Sequence, residues 1–551
     1  MRKHLNQRVS HINCNIFHLM QAIAEKLIKE ALEKGIEGGN DLQKLKNQYS
    51  ARYNLSSFTN QELIQAYRNL LQTKKIQKKE NLEKILKKRA IRSLSGVAVV
   101  TVLTKPYPCP GRCVFCPTEK QMPKSYLSNE PGAMRALLND FEPFKQVKNR
   151  LRALEASGHP TDKIELIVLG GTFSSYKKVY QKYFICQCIN ALNGGKKERS
   201  LAKALKKNEK VRHRLVGLSL ETRPDHVTEK EIIHFRNLGC TKIQLGVQHL
   251  DDEILDYVKR GHHKKEAIES IRICKDAGLK VSIHMMPNLP GSTPEKDLKM
   301  FQEIFANPDF RPDYLKVYPC VVTPFSELEH WYRRGEYSSY SDEVLEKLLV
   351  EIKKTFPRYV RVDRLIRDIP GESIIEGSKI TNLRQEIKRK YPKLKCQCIR
   401  CREIRDEPID PKKIKYEEIC YEASEGTEYF LSFTQHDKIC ALLRLRFVEK
   451  SSPDSKPRLS RKQHFIKEIS GASIVRELHT YGIHVALGKR EKKAHQHLGL
   501  GKKLMQKAEK ISKKNGFKRI AVISSIGTRQ YYRKLDYRLK GTYMMKKLTK
   551  K

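Results

Sequence analysis

From about residue 91 to 325, short apolar runs alternate strictly with helical stretches. The runs are VAVVTVL, KIELIVLGG, RLVGLSLE, KIQLGVQ, KVSIHMMP and YLKVYP. Between them lie TEKEIIHFRNLG and KEAIESIRICKDAG, each closed by a glycine, Gly239 and Gly278, where a left-handed cap belongs. Such alternation predicts an α/β fold with a parallel sheet, either rolled or open. In barrel-type folds the chemistry gathers at the C-terminal ends of the strands. Those ends carry Gly170-Gly171-Thr172, Glu221-Thr222-Arg223, Gln248 and the stretch from His284 to Pro290.

The first strand leads into KPYPCPGRCVFCPTEK, where Cys109, Cys113 and Cys116 have the spacing C-x3-C-x2-C. Three thiolates can ligate three irons of a four-iron cubane and leave the fourth without a protein ligand. An open iron suits reductive cleavage of S-adenosylmethionine, with the cofactor supplying the radical and the protein positioning it. The rival is a structural zinc site. Such sites are closed by four Cys or His ligands, and the nearest later histidine, His159, is far outside the loop.

A second cluster, Cys396, Cys398 and Cys401 in KCQCIRCRE, is too compact for a disulfide framework. It fits a zinc knuckle that needs a fourth ligand, for which Cys320 and Cys420 are the candidates.

From about 416 the pattern turns antiparallel. TEYFLSF and KICALLRLRFV flank the turn TQHD, and SIVRELHTYGIHVAL follows. Next, Gln496-x-x-Gly499-x-Gly501 opens the helix KKLMQKAEKISKKNG, which precedes RIAVISSI, TRQYYRKLDY and GTYMMKKL. Glycines ahead of a helix let consecutive N–H groups and the helix start cradle a pyrophosphate. Tyr531 and Tyr532 lie about thirty residues on, and a phenol near a thioester sulfur can protonate or orient the leaving thiolate. Amphipathic packing, one ring to the core and one to solvent, is the plainer account of the pair. The layout resembles the GNAT acetyltransferases, which bind acetyl-coenzyme A at that loop.

At 551 residues the chain is too long for one core, and two to four domains are expected. Lys and Arg number 109 against 62 Asp and Glu, a net charge of +47 that favours a polyanionic partner such as nucleic acid. Residues 1–90 read as basic amphipathic helices that help to hold it. Fourteen cysteines are too few for a disulfide scaffold. The N-terminus lacks the apolar stretch of a secretory signal, and no run is long enough to span a bilayer. A cytoplasmic protein that does not enter membranes is therefore expected.

A radical S-adenosylmethionine domain followed by an acetyltransferase domain is a rare pairing. It resembles the catalytic subunit of Elongator and its single-chain archaeal and bacterial relatives. The resemblance runs from about residue 85 to the end, on SGVAVVTVLTKPYPCPGRCVFCP, GGTF, ETRPD, GVQ, RGH, HMMPNLPG, RPDYLKVYP, SIVRELHTYG, QHLGLG and GTRQYYRKLDY.

That family makes the 5-carboxymethyl group on the wobble uridine of tRNA. The resemblance implies a basic helical tRNA-binding region over 1–90 and a partial (β/α) barrel of radical type over 91–365. A zinc-binding linker over 366–415 and a GNAT-type domain over 416–551 complete it. It implies that Cys109, Cys113 and Cys116 hold a 4Fe-4S cluster whose open iron binds S-adenosylmethionine. The deoxyadenosyl radical then activates the methyl of acetyl-coenzyme A for addition to C5 of uridine. Lys163, Glu477, Leu478, His479, Thr480, Gln496, Gly499, Leu500, Gly501, Lys502 and Tyr532 become acetyl-coenzyme A contacts. Gly170, Gly171, Glu221 and Arg223 resemble positions lining the S-adenosylmethionine pocket. A reductant for the cluster is required, and a homodimer is among the assemblies allowed. Two departures stand out. KCQCIRC and the short first cysteine spacing mark a prokaryotic type, and Asp536 occupies a place where the family usually has glycine. The competing function is a protein lysine acetyltransferase with a structural Fe-S cluster.

Overall fold

The structure is a computed structural model that describes residues 20–55, 57–77, 79–86, 96–405, 407–448, 464–482 and 499–548. The chain divides into two compact units, Met1–Ala98 with Asn149–Thr161, and Val99–Lys148 with Asp162–Lys551.

The first unit is helical, with helices over 20–33, Gly39–Tyr53, Asn60–Gln72 and Glu80–Leu86. Leu27, Ile28, Leu63, Ala66, Tyr67 and Leu70 recur at helical spacing and form its fully buried core. Thr59 and Glu62 cap the third helix reciprocally, each side chain bonding the other's backbone N–H.

The second unit holds two seven-stranded sheets. The first runs in sequence order: β1 (Val97–Leu103), β2 (Lys163–Leu169), β3 (Arg214–Thr222), β4 (Lys242–Gln248), β5 (Lys280–Met285), β6 (Tyr314–Val317) and β7 (Arg361–Arg364). The pairs from β2 to β7 are all parallel. Helices such as Glu229–Asn237, Lys264–Asp276 and Pro294–Ala306 connect them. Thr228 and Thr293 cap two of these through their side chains, and Gly239 and Gly278 take φ of +93° and +76° just past two helix ends. β7 was not expected from sequence: RVDR is four residues long and mostly charged, with none of the apolar content of the other runs.

The second sheet has the order β13-β14-β12-β11-β10-β9-β8. It comprises β8 (Lys415–Ala423), β9 (Gly426–Gln435), β10 (Lys438–Phe447), β11 (Ser473–Thr480), β12 (Arg519–Val522), β13 (Arg538–Lys540) and β14 (Tyr543–Lys547). The hairpin predicted around TQHD is present: His436 and Asp437 both have positive φ, 48° and 64°, as a tight two-residue turn requires. Asp536, placed where glycine is usual in the resembling family, has φ of +67°, a conformation glycine adopts freely.

The two sheets are joined by buried arginines. Arg444, Arg446 and Arg476 project from β10 and β11 and are almost wholly inaccessible. Arg476 is bidentate on Asp313, at 2.5 and 2.9 Å, and donates to Leu279 O at 2.8 Å. Arg446 binds Asp276 at 2.5 Å and Glu428 at 3.0 Å. Arg444 donates to Glu477 and to Tyr359 O, each at 2.8 Å. Asp276, Leu279 and Asp313 belong to the first sheet's layer. Burial alone would raise the Asp313 pKa, but Arg476, Arg444 and Lys275 hold it well below the usual carboxylate range.

Candidate active site

The cysteine loop leaves the C-terminal end of β1 and is fastened on both flanks. Val114 N donates to Val258 O at 3.1 Å, Leu328 N to Val114 O at 2.8 Å, and Thr118 N to Phe325 O at 2.8 Å. Val114, Phe115, Val258 and Leu328 form an apolar floor beneath it. Cys113 is buried, while Cys109 and Cys116 are half-buried. The hydrogen bond between Cys113 and Cys116 pulls the Cys113 thiol well below its ordinary value and pushes that of Cys116 well above, while the charges of Arg260 and Arg223 favour the Cys113 thiolate.

The other residues expected at this mouth gather around the loop. Gly170 has φ of +130°, and a β-carbon there would come within 2.0 Å of Thr104 Oγ1, so β2 can leave the sheet only at a glycine. Glu221 accepts from Tyr126 Oη at 2.7 Å. Arg223 grips Asp225 through Nε and Nη2, each at 2.9 Å, and donates Nη2 to Arg260 O at 2.9 Å. Its Nη1 is buried without a hydrogen-bond partner among the described residues and points at Gly111, where a β-carbon would come within 2.2 Å.

Below the mouth the concave face of the sheet is polar. On β2, Lys163, Glu165, Ile167 and Leu169 are the less buried set, alternating with the fully buried Ile164, Leu166 and Val168. Lys242 Nζ lies 2.5 Å from Glu165. Lys316 bonds Gln244 Oε1, which also meets His284 Nε2 at 3.2 Å, and Gln244 donates to Ser219 at 2.8 Å. His284 Nδ1 is 3.7 Å from Glu221. At the far end Tyr314 donates to Glu477 of β11. Two groups of polar side chains therefore line this face: Tyr314, Lys242 and Glu165 toward β11, and Lys316, Gln244, His284 and Glu221 toward Tyr126. Burial pushes the Lys316 pKa down to about 8 and that of His284 well below its ordinary value.

The second candidate site lies at the opposite end of the strands. β11 pairs with β10 as far as Thr480 but with β12 only from Ser473 to Val475. Beyond Val475 the two parallel strands part and leave one backbone edge of β11 open. The helix Leu500–Lys514 starts in that split, preceded by Gly499 at φ of +68°. A β-carbon on Gly501 would lie 3.1 Å from Tyr531 Oη, 3.6 Å from Thr480 Cγ2 and 3.8 Å from Leu478 Cδ2. The first-turn N–H groups at Leu500, Gly501 and Lys502 lack intrahelical acceptors and suit an anionic ligand.

The stretch 477–480 divides by face, because side chains alternate along a strand. Leu478 and Thr480 meet the helix start. Glu477 and His479 face the other way: Glu477 is committed to Arg444 and Tyr314, and the His479 ring packs on Tyr481 at 4.3 Å. The His479 Nε2 is buried and has no hydrogen-bond partner among the described residues. Of the tyrosine pair, Tyr531 is 39% exposed and Tyr532 6%. Tyr531 presents its hydroxyl to the helix start, while Tyr532 packs edge-on against Tyr531 and Tyr537. Gln496 lies outside the described residues.

This end is docked on the first sheet. Ser525 Oγ donates to Leu215 O at 2.7 Å, and a β-carbon on Gly527 would come within 2.7 Å of Arg214 Cβ and Leu215 O. Glu209 binds Arg529 at 3.1 Å and Arg533 at 2.7 Å. Lys163 pairs in register with Arg214, which puts it at this same end, and burial lowers its pKa. The nine residues of β3 separate the two ends by roughly 26 Å.

The Sγ atoms of Cys396, Cys398 and Cys401 lie within 4.8 Å of one another. That is the spread of ligands around one tetrahedral ion. Neither expected fourth ligand is there: Cys320 is packed in the apolar floor of the first cysteine loop, and Cys420 is exposed on β8. The group clasps both sheets. Ile399 N donates to Val360 O at 2.9 Å, Ile404 N to Ile439 O at 3.2 Å, and Arg400 to Asp363 O at 2.8 Å.

Sequence reasoning gave no role to Arg260, Lys316 or the three interior arginines. The signals available were charge recurring inside apolar strands, as in LLRLRF and IVREL, and the place of Arg260 in RGH and of Lys316 in RPDYLKVYP.

Family models match three successive stretches: the Radical SAM superfamily over 107–304, the Radical_SAM C-terminal domain over 312–392 and the Acetyltransferase (GNAT) family over 400–537. The "tRNA uridine(34) acetyltransferase" of Methanocaldococcus infernus is 41% identical, covering 96% of this chain and 99% of its own. The human "Elongator complex protein 3" is 36% identical, covering 96% and 97%. A solved structure of the Methanocaldococcus infernus Elp3 lacking residues 1–46 superposes with a TM-score of 0.71 at 42% identity, covering 82% of this chain and 100% of that one.

Proposed function

The chain belongs to the family of radical SAM–GNAT proteins that contains tRNA uridine(34) acetyltransferase and Elongator complex protein 3, and from that premise we propose its chemistry. It is a tRNA uridine(34) acetyltransferase that joins the methyl carbon of acetyl-coenzyme A to C5 of the wobble uridine. A methyl hydrogen would be taken by the deoxyadenosyl radical, and the C5 hydrogen would leave as a proton with its electron returned to the cluster. Water would cleave the thioester, releasing coenzyme A and the 5-carboxymethyl product. The observation that carries this reading is the polar face of the first sheet between its two ends, with Tyr314 and Glu477 at one end and Glu221 and Tyr126 at the other.

Cys109, Cys113 and Cys116 are assigned as ligands of a 4Fe-4S cluster, supported by their shared loop at the C-terminal end of β1. The cluster, when bound, supplies the electron that cleaves S-adenosylmethionine. Gly170, Gly171, Glu221 and Arg223 line the place where that molecule sits. At the other end, the open edge of β11 after Val475 and the start of the helix Leu500–Lys514 take acetyl-coenzyme A, with Lys163 beside them. Tyr531, whose pKa burial pushes up to about 12, stays protonated and donates its proton toward the departing thiolate. Tyr532 holds Tyr531 by edge-on packing rather than reaching the thioester.

The wobble base enters unpaired, so only loop unstacking opposes its insertion. We read 1–90 as the tRNA-binding region, 91–365 as the radical domain, 366–415 as a zinc-bearing linker and 416–551 as the acetyltransferase domain. Cys396, Cys398 and Cys401 hold the zinc. A cytoplasmic setting follows from the tRNA substrate, and no helix among the described residues is long and apolar enough to cross a membrane.

Anaerobic reconstitution with iron, sulfide, a reductant, S-adenosylmethionine, acetyl-coenzyme A and tRNA, followed by nucleoside mass analysis, tests the reading. Carboxymethyluridine forms with the native chain and not with Cys116→Ser. Acetyl transfer to peptide lysine that is indifferent to tRNA and survives Cys113→Ser would replace it with the protein acetyltransferase alternative.

A further inference from the structure

Arg260 lies just after the segment that fastens the cysteine loop and is 5% exposed. Its guanidinium is a fork with two fixed arms. Nη1 donates to Cys113 Sγ at 3.4 Å, and Nη2 donates to Gly246 O at 2.5 Å. The approach depends on glycine, since a β-carbon on Gly246 would come within 3.1 Å of Nη2. The Arg260 carbonyl is held in turn by Arg223 Nη2, which Asp225 orients. Two arginines thus converge on one short loop: Arg260 on the Cys113 sulfur, and Arg223 over Gly111. Neither is an ordinary surface charge. Arg223 is anchored by the Asp225 carboxylate, whereas among the described residues Arg260 has only carbonyl and sulfur partners, and its Nε has none.

We propose that Arg260 is a positioning residue that sets the reduction potential of the cluster bound in this loop, through the N–H···S bond to Cys113. The inference rests on the reading of the three cysteines as cluster ligands. Hydrogen bonds to cluster sulfurs and the local net charge are the protein's means of tuning such potentials. Reduction adds a negative charge, which a guanidinium held against a ligand sulfur favours. Losing the bond therefore lowers the potential and makes the cluster harder to reduce. The side chain also fixes the rotamer of the buried cysteine relative to β4, since both arms of the fork are anchored. Lysine, a point charge on a flexible stem, replaces the charge but not the two-armed geometry.

The test is a redox titration of the reconstituted full-length protein, followed by electron paramagnetic resonance of the reduced cluster, with iron and sulfide counted per chain. At the potential where half of the native clusters are reduced, the reduced-to-oxidised ratio in Arg260→Gln falls about tenfold, equivalent to about 59 mV for one electron. Arg260→Lys falls between the two. Gly246→Ala keeps the arginine but displaces its second arm. It shifts the potential in the same direction, and it gives the reading if Arg260→Gln retains fewer irons. Native-like iron content with an unchanged midpoint in both Arg260→Gln and Gly246→Ala overturns the inference alone. A native chain that takes up no cluster overturns the cluster reading, and the inference with it.

Discussion

The Tyr531 hydroxyl occupies the space over Gly501, 3.1 Å from where a β-carbon would stand, at the start of the helix Leu500–Lys514. One small residue thus keeps the helix start open for a ligand and sets where the phenol sits. Leu478 and Thr480 close the same corner from β11.

Gly501→Ala is expected to push the Tyr531 ring aside and weaken acetyl-coenzyme A binding, read by calorimetric titration, with the fold intact by circular dichroism. Tyr531→Phe is expected to leave binding near native and to slow tRNA-stimulated thioester cleavage by 10²–10⁴-fold, the usual contribution of a positioned acid. Because the phenol titrates near 12, that loss is the same from pH 7 to 9. A deficit that disappears at either pH would remove Tyr531 from this role.

Acid stability follows from Glu477. Burial would raise its carboxyl, but Lys280, Arg444 and Tyr314 outweigh it and bring it to about 2, from an ordinary value of 4.5. The group binds fewer protons folded than unfolded, so its stabilisation is present above pH 4.5 and is lost as pH falls toward 2. The span is worth about 3 kcal/mol. Glu477→Gln is expected to flatten that part of the acid-unfolding curve followed by fluorescence, while being less stable than the native chain at pH 7.

The Arg476–Asp313 pair holds the two sheets together, both side chains being fully buried. Asp313→Asn leaves Arg476 and Arg444 short of a counter-charge and is expected to cost about 3–5 kcal/mol in denaturant unfolding. An unchanged unfolding midpoint would mean the pair is not buried in solution.

Cys398→Ser is expected to lower bound zinc, measured by elemental analysis, without changing the iron content of the reconstituted protein. Because the segment clasps Val360 of the first sheet's layer and Ile439 of the second, metal loss is also expected to speed proteolytic cleavage near residue 400. Iron and zinc falling together in this variant would mean that the two cysteine groups are not independent.

Much of this arrangement was already legible in the chain. Six of the seven strands of the first sheet read as apolar runs, because strands covered by helices must be apolar on that face. The hairpin, the glycine caps and the placing of the three cysteines after β1 are local chemistry that travels with the sequence. β7 escaped because a short strand made of arginine, valine and aspartate carries no apolar run.

What sequence alone could not decide is which side chains face one another. Glu477 and Leu478 are neighbours in the chain, yet one belongs to the ion-paired joint and the other to the helix start, since strand alternation sends them to opposite faces. Whether Arg444, Arg446 and Arg476 would be solvated or buried depended on Asp276, Asp313 and Glu428, the nearest partner in sequence 18 residues away and the farthest 170. Their partners, and the guanidinium of Arg260 against a cysteine 147 positions earlier, exist only once the chain has closed on itself. Local chemistry therefore determined the elements and the ligand types. The tertiary structure decided the pairing of charges, because a buried charge is tolerated only where the fold supplies its partner.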